Sequence, residues 1–74
     1  MKTRLFDLSF YPLSAIKQAA LDYRHIAKIL VTADSHYACC RFLWCKAEEN
    51  LTVDEFSNYV IDLAGAKGYG HDPD

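Results

Sequence analysis

The chain has no apolar run approaching the roughly 18 residues of a membrane-spanning helix. The opening Met-Lys-Thr-Arg-Leu-Phe-Asp also lacks the apolar stretch of a signal peptide. A cytoplasmic protein with no membrane partner is the expectation. Basic charge is in short supply: 8 Lys and Arg against 10 Asp and Glu give a net charge of −2, and Arg4, Arg24 and Arg41 are scattered. Binding nucleic acid needs a clustered basic face that displaces counterions, so nucleic acid is not expected as a partner. Cysteine is sparse and odd in number, 3 residues with two of them adjacent, which does not make the paired framework of a secreted disulfide scaffold. Reduced thiols are expected. Glycine is absent before Gly65, so no left-handed residue marks the end of any earlier helix.

What is present is apolar: 51% hydrophobic and 14% aromatic residues, with 24% charged. Disordered chains lack the apolar content to offset ordering entropy, so this one folds. At 74 residues it makes one domain, of a size that buries only about 60% of the unfolded chain's surface.

The organising stretch is Tyr37–Lys46, Tyr-Ala-Cys-Cys-Arg-Phe-Leu-Trp-Cys-Lys. As a strand it places Ala38, Cys40, Phe42 and Trp44 on one side and Tyr37, Cys39, Leu43 and Cys45 on the other. Strands that are apolar on both sides are central ones. Upstream, residues 3–11 alternate as a first strand, with Phe6, Leu8 and Phe10 toward the core and Leu5, Asp7, Ser9 and Tyr11 away from it. Pro12 ends that strand and suits a helix's first turn. Leu13, Ile16, Ala20 and Tyr23 then form the apolar stripe of a helix reaching about residue 25. β-Branched residues in 27–33 make a second strand, and Asp34-Ser35-His36 closes a hairpin into the central one. Ala47-Glu48-Glu49-Asn50 reads as a turn. Thr52 and Glu55 form a capping box, with Leu51 and Phe56 as a hydrophobic staple. Phe56, Tyr59, Val60 and Leu63 stripe the second helix, which Gly65 or Gly68 would stop.

The order is β-α-β-β-α. A crossover between the first two strands, with the two-sided strand inserted between them, gives a three-stranded antiparallel sheet in the order 1-3-2 with both helices on one face. The alternative order 3-2-1 would leave Phe42 and Trp44 on an edge. The domain spans residues 1–66, and 67–74, containing Gly-Tyr-Gly-His-Asp-Pro-Asp, is expected to be a flexible tail.

Chemistry is poorly represented. At about 3.3 Å per residue, Cys39 and Cys45 should lie roughly 20 Å apart with Cys40 facing the other way, which excludes a shared zinc and a Cys39–Cys40 disulfide. His25, His36 and His71 share no metal spacing and have no nucleophile partner. The terminal Gly-Tyr-Gly follows a helix instead of opening one and so is no phosphate loop. No enzyme, cofactor or metal is expected. What remains is a sheet face without helices, carrying Leu5, Tyr11, Leu30, Tyr37, Cys39, Arg41, Leu43 and Cys45, with Asp7 and Lys28 among them. Aromatics and arginine among small apolar groups have the composition of an interface core, for a protein or peptide partner or for a homodimer.

Tyr11-Pro12-Leu13-Ser14-Ala15-Ile16-Lys17-Gln18-Ala19-Ala20-Leu21-Asp22-Tyr23, followed by Phe56-Ser57-Asn58-Tyr59-Val60-Ile61-Asp62, resembles the His-Xaa-Ser system protein HxsD family. Members of that family look like small proteins with a Tyr-x-Leu-x-Ala-Ile-Lys-x-Ala-Ala segment and a Glu-Phe-x-Asn-x-Val closing helix. The resemblance implies a non-catalytic accessory to a radical SAM protein that modifies a His-Xaa-Ser repeat peptide. It implies no site residues.

Overall fold

The computed structural model describes residues 2–66, with the backbone alone described at Ala66. The expected tail, with Gly68 and His71, lies outside the described residues. The elements run β1 (Lys2–Asp7), α1 (Leu13–Asp22), β2 (Ala27–Ala33), β3 (Tyr37–Cys45) and α2 (Glu49–Ala66). β3 lies between the other two strands in the order β1-β3-β2, and both pairings are antiparallel. The expected mixed fold and strand order are borne out. One cluster holds the core: Phe6, Ala38, Cys40 and Phe42 from the sheet, Ile16 and Ala19 from α1, and Val53, Phe56 and Val60 from α2. Both helices therefore cover the same face. Ala15 and Ala19 are fully buried, and their small side chains let α1 approach the layer closely.

Phe56 sits at the centre of an aromatic group, with ring centroids 5.3 Å from Phe42, 5.4 Å from Tyr23 and 6.1 Å from Phe6, all edge-on. Edge-to-face pairs of this kind add roughly 0.5–1.5 kcal/mol beyond area burial. Tyr59 ties the helices together by donating its hydroxyl to Asp22 Oδ2 at 2.6 Å. From the sheet, Arg4 donates through Nε to Ser57 Oγ at 2.8 Å and lies 3.4 Å from Asp54 on α2.

Three expectations need correction. The first strand stops at Asp7, not Tyr11, because the Asp7 carboxylate accepts from the Ser9 N–H at 2.9 Å and the Ser9 hydroxyl at 2.7 Å. Its own carbonyl also accepts from the N–H groups of Phe10 and Tyr11. An aspartate that bonds two residues ahead folds the chain into a turn in place of an extended strand. Phe10 is consequently 73% exposed instead of core, and Tyr11 swings back so that its ring meets Phe6 edge-on at 5.6 Å.

The second correction is at the last helix. α2 begins at Glu49, within the stretch read as a turn, and Glu48 caps it. Its carboxylate accepts from the N–H of Leu51 at 2.8 Å and of Asn50 at 3.1 Å. Thr52 lies inside the helix, 2% exposed, and donates its hydroxyl to the Glu48 carbonyl at 2.9 Å. Leu51, 61% exposed, staples nothing. Gly65 is a residue of the helix and does not terminate it.

The third correction decides which residues reach the open face. Lys28 of β2 pairs with Trp44, yet the next residue, Ile29, pairs with Phe42. Leu43 is thus an extra residue on β3, a β-bulge. An extra residue reverses the in-and-out alternation beyond it. Cys45, opposite Ala27, joins the core side, while Trp44, opposite Lys28, turns outward and is 54% exposed.

Candidate functional site

Residues opposite each other on neighbouring strands share a sheet face, so the register lays out the surface away from the helices in rows. Leu5, Cys39 and Thr32 make one row, Thr3, Arg41 and Leu30 the next, Asp7 and Tyr37 sit toward the hairpin end, and Trp44 and Lys28 close the other end. Leu5, Leu30, Tyr37, Leu43 and Trp44 are all 40–60% exposed. A face turned to solvent is mostly polar; here each strand contributes a large exposed apolar side chain, with Thr3, Thr32, Arg41 and Lys28 set among them.

Of the eight residues expected on this face, Leu5, Leu30, Tyr37, Cys39 and Arg41 are brought together there, and Leu43 borders them at the bulge. Tyr11 and Cys45 are not. Both pack against the helix-side core, Tyr11 because of the Asp7 turn and Cys45 because of the reversed alternation. Trp44 is the member that reading the strand as regular misses. Its signal is faint: the small Ala27 and Cys45 suit the crowded side under a helix, whereas Lys28, Trp44's partner, does not.

Hydrogen bonds to two aspartates brace the hairpin end of the face. Asp34 accepts from the N–H groups of Tyr37 at 2.8 Å and His36 at 2.7 Å, and these bonds, that of Tyr37 first, lower the pKa of its carboxyl. Asp7 is lowered in the same way, chiefly by the Ser9 hydroxyl and then the Ser9 N–H. A shallow depression of about 260 Å³ runs between Leu5, Thr32, Tyr37 and Cys39.

The thiols differ by environment. Cys40 is fully buried, and burial pushes its pKa up to about 12. Burial also raises Cys45, with Glu49 adding to the effect and a Thr52 hydrogen bond opposing it. Cys39 is half-buried on the open face. Among the described residues no group of three His, Cys, Asp or Glu side chains could hold a metal ion, and no helix is long and apolar enough to cross a membrane.

Compared with protein-family models, curated proteins and solved structures, the chain matches none.

Proposed function

We propose that the chain is a small non-catalytic interaction module that takes a protein or peptide on its open sheet face or along an edge strand, as an accessory in a radical SAM peptide-modification system of the His-Xaa-Ser kind. The observation that carries the binding role is the apolar patch of Leu5, Leu30, Tyr37, Leu43 and Trp44 on the face away from the helices. Aromatic anchors such as Tyr37 and Trp44 contribute large contact area where a partner excludes water. The accessory role draws on the two helical segments, Tyr11–Tyr23 and Phe56–Asp62, that carry the family resemblance. Its partner is then the radical SAM protein or the His-Xaa-Ser peptide.

The test is Leu43→Lys beside wild type, read by thermal melts, sedimentation and copurification with a coexpressed radical SAM protein. Leu43 is 40% exposed, so the variant should fold while losing the partner, because association would desolvate the new charge. Retained association would remove the open face from the reading. A wild-type dimer that Leu43→Lys splits, with no radical SAM protein bound, would turn the same face into a homodimer interface.

A further inference from the structure

We infer that the outer edge of β2, with the groove it shares with α1, takes an extended acidic peptide as a fourth strand. The inference rests on the interaction-module reading and adds to it a particular edge and the chemistry of the peptide. Between α1 and β2 lies a groove of about 460 Å³ along Ala20, Ala27, Lys28 and Ile29, with Lys17 and Arg24 at its rim. Lys17 and Arg24 put two cations on its helix side, Lys28 belonging to the open face of the sheet, and among the described residues no carboxylate lines it. Arg24 donates one N–H to the Leu21 carbonyl at 3.0 Å, which seats the guanidinium at the helix end with further donors available. Leu21, 54% exposed beside it, adds an apolar shoulder.

The backbone of β2 supplies the other half of the site. Asp34 donates its N–H to the Tyr37 carbonyl at one end of the β2–β3 pair, and Lys46 donates to the Ile26 carbonyl at the other. Antiparallel ladders alternate, so counting inward from both ends turns Thr32, Leu30 and Lys28 toward β3 and leaves the N–H and C=O groups of Ala33, Val31 and Ile29 pointing outward, while the Ala27 N–H is already taken by the Tyr23 carbonyl at 2.9 Å. Among the described residues β2 has no strand neighbour on that side. A row of alternating donors and acceptors at strand spacing is complementary to another extended polypeptide. Phosphates can satisfy the donors of such a row but not its carbonyls, so the edge favours a peptide over a nucleic acid. Ile29 and Val31 pack on the helix side, and a residue paired directly with either puts its side chain on that side too, toward Lys17 and Arg24. Acidic side chains at alternate positions of the incoming strand therefore meet the cationic rim.

The opposite edge offers a different environment. At β1, Glu49 accepts from the Lys2 N–H at 3.0 Å, and Arg4 is engaged by Ser57 and Asp54. The cation-rimmed edge is that of β2.

The experiment uses the full chain and a fluorescein-labelled peptide of alternating Glu and Val, read by fluorescence anisotropy. Lys17→Glu with Arg24→Glu, both exposed, one on α1 and one just past its end, should weaken binding by about tenfold or more in a chain that still folds by circular dichroism. The peptide is also made with N-methyl groups on one alternate set of residues or on the other. One set should abolish binding and the other leave it nearly intact, because only one set faces β2. Equal effects of the two sets would overturn strand addition. So would an absence of binding at about 100 µM peptide, or displacement of the peptide by an oligothymidylate of the same charge. Leu43→Lys should bind the peptide as wild type does. If the peptide fails to bind while Leu43→Lys still breaks the association at the open face, the β2 site is wrong and the interaction-module reading stands.

Discussion

Replacing Phe42 and Trp44 by alanine, one at a time, asks whether the bulge at Leu43 is where the register puts it. In a regular strand the two residues point the same way and both support the helices. With the bulge, Phe42 is fully buried and Trp44 is 54% exposed. Phe42→Ala removes a fully buried ring that meets Phe56 edge-on and leaves a cavity in the core, which costs about 3–5 kcal/mol. For Trp44, a little under half of an area of roughly 200 Å² is out of water. At about 25 cal/mol per Å² that gives a ceiling near 2.5 kcal/mol. The alanine that remains and the partial compactness of the unfolded chain lower the figure to about 1–2 kcal/mol, and no enclosed cavity forms. A domain of 74 residues has roughly 4–11 kcal/mol of stability in total, so Phe42→Ala takes a large share of it. At about 4–8 °C per kcal/mol for a domain of this size, Trp44→Ala should lower the melting temperature by about 5–15 °C. Phe42→Ala should lower it by about 15–35 °C or leave the chain unfolded. Urea and thermal melts followed by circular dichroism measure both. Equal losses for the two variants would refute the bulge and put Trp44 back under the helices.

The cap of α2 is checked by Glu48→Ala, which should cost about 1 kcal/mol because the N–H groups of Asn50 and Leu51 lose their acceptor; unchanged urea melts would mean the helix does not start there. Thr52→Val, which keeps the shape and removes the hydroxyl's bonds to the Glu48 carbonyl and the Cys45 thiol, should change stability by less than Glu48→Ala does, again by urea melts. Asp7 and Asp34 have lowered folded-state pKa values, so the stability they contribute is present above their unfolded pKa near 3.9 and is lost as the pH falls through the folded values. A protein carrying Asp7→Ala and Asp34→Ala should therefore lose less stability than wild type between about pH 5 and about pH 3, and an identical loss would mean the two turns do not hold these carboxylates ionised. Cys39 should react with a thiol reagent in the native protein, whereas Cys40, buried and pushed up to about 12, should react only on unfolding; mass spectrometry after brief alkylation reads the order.

The sequence by itself determined the element order, the pairing and the side of the sheet that holds the core. β2 and β3 were legible because β-branched and aromatic runs are bounded by a polar Asp-Ser-His turn, and the strand order followed from one strand being apolar on both sides. Five of the eight proposed face residues were placed correctly by alternation alone, and Leu43 sits at their border. What only the tertiary structure decided lies where a single local bond or a single extra residue changes the count. The Asp7 carboxylate bends residues that alternate well enough for a strand, which exposes Phe10 and takes Tyr11 to the core. Glu48, not Thr52, caps α2, because either oxygen chemistry can serve a helix start and only the position of the preceding strand's end selects between them. The bulge at Leu43 exchanges Trp44 and Cys45 between the faces, since alternation has a period of two and one inserted residue inverts everything beyond it. The groove beside β2 was invisible for a related reason: Lys17 and Arg24 look scattered along the chain and come to one groove only when α1 and the strand after it are laid side by side.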